Sequence, residues 1–272
     1  MVALIRAFLA TTIFCVCLSK SSFCQDKLKC YIEEQVEAHR GAIEINLDKG
    51  WHTYWKHPGI NGFKPRIVIT SQNNVKSFNV KWPHPKILGP VGYEYLGYDT
   101  SVFIPFEITK FDKEKFFKIH LELDYGVCKK ICLVKNKVLK IEKNIKTSLI
   151  DSEKINIAFK RIASEVTFSS KNKCTLESSS NNLIKLTVKN KILKDKQNIN
   201  LALIDYRDQD SLITEQTFNS EEGYATALLF SKNVSLANID LNKLSLIFSI
   251  DGVAKKIIGC KRNHALILEQ SN

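Results

Sequence analysis

The stretch Phe117-Lys118-Ile119-His120-Leu121-Glu122-Leu123-Asp124 alternates strictly between apolar and polar side chains. Successive side chains of a strand point to opposite faces, so the pattern demands a β-strand with one face in a core and the other in water. A helix would scatter the same residues around its circumference. Runs of the same kind, rich in Ile, Val, Phe and Tyr, cover 42–47, 66–70, 75–82, 102–109, 116–124 and 138–145. After Thr147 the period changes. Asp151 or Ser152 is placed to cap a helix in which Ile155, Ala158, Phe159, Ile162, Ala163 and Val166 recur every three or four residues. Strand-like runs then return at 183–188, 199–206, 224–230, 244–250, 256–258 and 265–268, separated by Ser/Asn-rich turns. This pattern predicts a mainly β chain: two β-sandwich domains, residues 25–150 and 151–272, joined by a short amphipathic helix at the start of the second. The two halves share no evident repeat.

With 272 residues and 44% hydrophobic content, the chain can bury a substantial core, which excludes a disordered protein and a miniprotein held by disulfides alone. The formal net charge of +12 comes from 34 Lys and only 6 Arg. A phosphate-reading surface favours the bidentate Arg fork, and the lysines here are scattered rather than interleaved with aromatics, so no nucleic-acid partner is expected.

Residues 1–24 differ from the rest. Arg6 precedes an apolar run from Ala7 to Leu18, followed by Ser19, Lys20, Ser21, Ser22, Phe23 and Cys24. The run is too short to span about 30 Å of hydrocarbon but suits the apolar region of a secretory signal peptide. Cleavage is expected after Cys24. No later stretch is apolar for about 18 residues, so no stable membrane insertion is expected once the signal is removed.

Export changes the reading of the 8 cysteines. Cys15, Cys17 and Cys24 leave with the signal; Cys30, Cys128, Cys132, Cys174 and Cys260 remain, an odd number in a compartment where thiols pair. Cys128 and Cys132 flank Lys129-Lys130-Ile131 directly after the strand ending near Tyr125. Were that strand to continue, four steps of about 3.3 Å would separate their Cα atoms by roughly 13 Å, beyond the limit of about 7 Å for a disulfide. The chain must turn tightly for them to bond. On the loop-entropy model a link this local stabilises by only about 2 kcal/mol, against about 4.6 kcal/mol for one joining Cys174 to Cys260. Stability is therefore a poor reason for a bridge at 128 and 132. A small ring at a strand end is readily reduced, Lys129 and Lys130 would favour the thiolate, and the pair reads as redox-active. An inert staple is the alternative. A metal site lacks a second ligand pair, and His120 sits on the polar face of a strand. Cys174 and Cys260, if paired, form a structural disulfide tying the first turn region of the second half to its last strand. Cys30 is left unpaired in a polar stretch near the mature N-terminus.

A second cluster runs from Trp51 to Pro65, with Trp82-Pro83-His84-Pro85 beyond it. Such loops cap a site or close the end of a sandwich core. His52 and His57 have no nucleophile partner in sequence, and no hydrolase constellation can be picked out.

Taken together, several of these segments resemble a known family. Gly50-Trp51-His52-Thr53-Tyr54-Trp55-Lys56-His57-Pro58-Gly59, the Asn74–Pro85 segment, the Gly92-Tyr93 and Gly97-Tyr98 pairs, Leu123-Asp124-Tyr125-Gly126-Val127-Cys128 and Ile131-Cys132 are similar to the N-terminal periplasmic domain of DsbD-type thiol:disulfide interchange proteins, in a stand-alone exported form. The likeness covers roughly residues 35–145. It departs where family members often carry Pro after the second cysteine and this chain has Leu133 and Val134. It implies an immunoglobulin-like sandwich, a periplasmic location, and a Cys128/Cys132 pair that relays electrons by exchange without a cofactor or metal. A membrane thiol reductase and periplasmic client proteins are the implied partners, because this chain lacks the membrane and thioredoxin-like domains of full-length DsbD. Tyr125 and the Trp51–Pro65 loop are expected to shield the pair. The alternative is a non-catalytic binding or assembly module in which the pair is inert, and exposure of a sulfur discriminates between the two.

Overall fold

The computed structural model describes residues 27–35, 38–142, 148–167, 172–179, 183–195, 198–207, 211–231 and 239–262. The signal segment 1–24, with Cys15, Cys17 and Cys24, and the strand expected at 265–268 lie outside the described residues. In the first half the strands are β1 (Lys27–Glu33), β2 (His39–Asn46), β3 (His52–Tyr54), β4 (Arg66–Asn73), β5 (Ser77–Val80), β6 (Lys86–Leu88), β7 (Tyr95–Tyr98), β8 (Val102–Thr109), β9 (Lys118–Cys128) and β10 (Cys132–Glu142). Helix α1 (Leu149–Lys160) follows. The second half holds β11 (Ser164–Glu165), β12 (Lys173–Ser178), β13 (Leu183–Lys189), α2 (Lys191–Asp195), β14 (Ala202–Tyr206), β15 (Ser211–Asn219), β16 (Tyr224–Ser231), β17 (Leu244–Ile250), β18 (Val253–Ile258) and β19 (Lys261–Arg262). The chain is mainly β.

Four sheets result. In the first half, β1-β2-β8-β5 faces a sheet ordered β10-β9-β3-β7-β6, in which β4 also pairs with β9. The alternation of β9 decides which side is inside. Ile119, Leu121, Leu123, Tyr125 and Val127 join Ile43, Ile45, Ile104, Phe106 and Ile108 from the other sheet in one core. Burying one such side chain stabilises by about 1.5–3 kcal/mol, so a register slip that turned this row to water would be prohibitive. The second half pairs β11-β18-β17-β14 and β15-β16-β13-β12-β19 around its own core of Leu186, Val188, Ile204, Leu229, Leu246 and Phe248. Ala163, Leu203 and Ile247 of the second half belong to the first core, so the two halves share buried apolar surface.

The helix begins earlier than its sequence pattern suggested. Ser148 is the N-cap, its hydroxyl accepting from the Asp151 amide while the Asp151 carboxylate accepts from the Ser148 amide, so Asp151 completes a capping box instead of starting the helix. Ile162, Ala163 and Val166 fall beyond its end. Ile155 and Ala158 pack on Tyr31 and Ala42, and the Arg40 guanidinium lies 3.8 Å from the centre of the Phe159 ring, so the helix is seated on the first half's sheet. Among the described residues no helix is long and apolar enough to cross a membrane.

Candidate functional site

Strands β9 and β10 form an antiparallel hairpin in which Cys128 and Cys132 are directly opposed. Lys129, Lys130 and Ile131 make the turn, which the Lys129 amide closes by donating to the Ile131 carbonyl at 3.1 Å. The turn brings the two Cα atoms to 4.1 Å, and the sulfurs are bonded. The two ends of the bridge differ in environment: Cys128 is 1% exposed, whereas Cys132 is exposed at the start of an edge strand.

The cover over Cys128 comes from a distant part of the chain. β3 pairs with β9 so that His52 opposes Cys128 and Thr53 opposes Val127, with the Thr53 hydroxyl donating to the Gly126 carbonyl at 2.7 Å. Tyr54, one step on, lies over Gly126. A Cβ at 126 would stand 2.9 Å from Phe63 Cβ and 3.0 Å from Tyr54 Cε2, so the missing side chain is what lets both rings close over the hairpin. The Tyr54 hydroxyl then sits 3.0 Å from Cys128 Sγ and 3.6 Å from Cys132 Sγ. A bonded sulfur carries no proton, so the hydroxyl is the donor. Burial pushes the Tyr54 phenol up and the His52 imidazole down from their ordinary values, which keeps both neutral around pH 7. Tyr95 of β7 completes the cover, stacked on His52 with centroids 4.8 Å apart and edge-on to Tyr54 at 5.2 Å. The sulfurs therefore face an aromatic, uncharged roof with a single hydroxyl aimed at them.

The residues named from sequence are dispersed differently. Tyr125 is fully buried in the core on the other face of β9, and the tyrosine that meets the sulfurs is Tyr54. Lys129 and Lys130 are exposed on the turn, with Lys129 Nζ 3.4 Å from the Lys49 carbonyl. Cys174 and Cys260 are bonded to each other, with Cα atoms 5.8 Å apart, far from this hairpin in sequence. Cys30 is free, as its pairing arithmetic required, but it is no loose thiol: it lies in β1 opposite Ile43, and burial pushes its pKa up to about 12. His120 is partly buried, with Nε2 3.8 Å from Glu142 Oε1. The Trp51–Pro65 segment does both things its composition allowed. Tyr54 roofs the sulfurs while Trp55, 1% exposed, fills the core.

Fold and site together define a mainly β protein that carries, at the tip of a hairpin, a disulfide with one buried and one exposed end. Residues 21–142 match the family model described as thiol:disulfide interchange protein DsbD, N-terminal. Among solved structures, the chain is similar to the N-terminal periplasmic domain of ScsB from Proteus mirabilis, with 18% identity, a TM-score of 0.57, and coverage of 86% of this chain and 93% of that one. That likeness is one of fold, and it extends through both halves. No curated protein matches the chain. The match supports a role related to thiol:disulfide interchange for this part of the chain.

Proposed function

We propose that this protein is a periplasmic thiol:disulfide interchange protein whose Cys128–Cys132 pair accepts electrons from one thiol protein and passes them to another. The observation that carries the reading is the asymmetry of the bridge: an exposed Cys132 bonded to a buried Cys128 beneath the Tyr54 hydroxyl. A partner thiolate attacks Cys132 Sγ. As the partner-S–Cys132 bond forms, the Cys132–Cys128 bond breaks, and its electron pair leaves on Cys128 Sγ as a thiolate that the Tyr54 hydroxyl stabilises. A hydrogen bond to a charged group of this kind is worth about 1.5–3 kcal/mol. The partner's second thiolate then attacks its own sulfur in the mixed disulfide and releases Cys132. The partner leaves oxidised by two electrons and this chain leaves as the dithiol. Transfer to a client disulfide runs the same steps in reverse. Lys129 and Lys130 favour the Cys132 thiolate by proximity of charge, and Tyr125 supports the strand from the core side.

The same reading covers the remaining architecture. Residues 25–150 form an immunoglobulin-like redox sandwich and 151–272 a linker helix with a second sandwich, cross-linked structurally through Cys174 and Cys260. The chain is exported by its first 24 residues, and its partners are a membrane thiol reductase and periplasmic thiol or disulfide proteins. Equilibrating the mature protein in a glutathione series, with trapped thiols resolved by mass spectrometry, tests the central step. A potential for the Cys128–Cys132 pair between about −120 and −270 mV is expected, and a value below about −300 mV would identify a resistant structural bridge.

A further inference from the structure

A largely buried charge cluster, with Lys56 its one partly exposed member, joins the two halves of the chain immediately beside the roof of the disulfide. Asp205, the penultimate residue of β14, is 8% exposed, and its carboxylate lies 2.6 and 2.7 Å from Lys56 Nζ through its two oxygens. His57, 4% exposed, places Nε2 at 3.3 Å from Asp205 Oδ1. Burial by itself disfavours the charged Asp205, but Lys56 and His57 overcome it and hold the carboxyl well below the usual carboxylate range. Lys56 and His57 follow Tyr54 by two and three residues. The segment between is tied on its other side to β7: the Trp55 amide donates to the Leu96 carbonyl and the Leu96 amide to the Pro58 carbonyl, each at 2.9 Å. Tyr95, the neighbour of Leu96, is the second ring of the roof. At Gly59, with φ +87°, the loop passes β15 at a distance where a Cβ would make an ordinary van der Waals contact of 3.5 Å with the Thr214 carbonyl oxygen. The segment that carries Tyr54 is thus gripped between β7 and the second half.

We infer that Asp205 is a positioning residue for the Cys128–Cys132 pair, acting from the second half through Lys56 and His57 to hold the Tyr54 hydroxyl on Cys128 Sγ. This rests on the exchange reading, and it gives the second half a part in setting the reactivity of the cysteine pair. Simple glue between two bodies would not need this location. The apolar contacts of Ala163, Leu203 and Ile247 already join the halves, whereas a buried ion pair with one partner missing is costly and serves best where it fixes a register.

The test is a double-mutant cycle read on the Cys128 thiolate. The full mature chain carries Cys30→Ser and Cys132→Ser, so that Cys128 is the only free thiol, and its deprotonation is followed by ultraviolet absorbance. Tyr54→Phe should raise the titration midpoint by about one pH unit, the loss of one charge-assisted hydrogen bond. Asp205→Asn should raise it in the same direction by a smaller amount, and should add nothing when Tyr54→Phe is already present. Through its field alone, removal of the Asp205 charge would lower the midpoint, so the sign separates positioning from simple electrostatics. Asp205→Glu should restore much of the original value. Lys56→Gln opens the same clamp from the other side; loss of its positive charge raises the midpoint through the field as well, so here it is disappearance of the rise in the Tyr54→Phe background that marks positioning, which keeps the test available if Asp205→Asn folds poorly. An unchanged midpoint in Asp205→Asn and Lys56→Gln, a fall, or an equal shift with and without Tyr54 would overturn the inference. The cycle can be read whatever the potential of the pair, so failure of the exchange reading and failure of this one are distinguishable.

Discussion

Two cysteines four residues apart in sequence have opposite environments, because Cys132 starts an edge strand while Cys128 lies under Tyr54. After reduction the two thiols should therefore be modified at different rates. Iodoacetamide should label Cys132 at least about tenfold faster than Cys128, as followed by peptide mass spectrometry, since exposure and thiolate access govern the rate. Equal rates would mean that the roof opens on reduction. A Cys128→Ser variant should accumulate a stable mixed disulfide with a small thiol such as glutathione through Cys132, and Cys132→Ser should not. The pair itself was legible in sequence, because the spacing and the following residues could be read locally. Tyr54 was not, since the hydroxyl reaches Cys128 across 74 residues of chain and only the pairing of β3 with β9 creates that proximity. Tyr125 is near the pair in sequence, but odd and even positions of β9 face opposite ways, and Tyr125 falls on the core side.

At the scale of elements, strands with a clean apolar/polar alternation are recognisable from their period alone, as β9 at Lys118–Cys128 and β13 at Leu183–Lys189 illustrate, whereas β1, β12 and β15 are not among the expected strands although each has six or more residues. Strands of three or four residues, β3, β6 and β7, carry too few positions for a period to register, and they lie among Gly, Pro and aromatic residues that read as loop. Of these, β3 and β7 supply the roof of the site. The roof depends on the bare Gly126, and Gly126→Ala should push the Tyr54 and Phe63 rings away from the hairpin, where a Cβ would meet them at 2.9–3.0 Å. The expected outcome is a faster reaction of the oxidised protein with dithiothreitol, by about threefold or more, together with a loss of about 1–3 kcal/mol in stability from overpacking. A slower or unchanged reaction would show that these rings do not govern access to the bridge.

For the whole molecule, acid should loosen the structure in two successive windows. Burial lowers the His84 imidazole from its ordinary 6.5 to about 4, and His57 is lowered in the same direction, chiefly by burial. A histidine with a depressed folded-state pKa binds its proton first in the unfolded chain, so stability should fall as pH drops from about 6.5 towards 4. Below that, Asp205 takes over: its folded-state pKa is also depressed, so its contribution is present above the ordinary carboxylate value of 3.8 and is lost as pH falls past it. Urea titrations at stepped pH should show the midpoint declining from about pH 6.5, and His84→Gln should flatten the part above pH 4. A midpoint that stays level to pH 4 would contradict this. The sequence by itself determined the mainly β character, several of the long strands and the cysteine pair that must turn tightly to bond, because alternation and spacing are local properties of the chain. Tertiary structure alone decided which tyrosine covers the sulfurs, which cysteine is exposed, and that Asp205, 149 residues from Lys56, grips the segment beside them. Those facts arise from the pairing of strands and the packing of two halves, and no window of sequence contains both sides of such a contact.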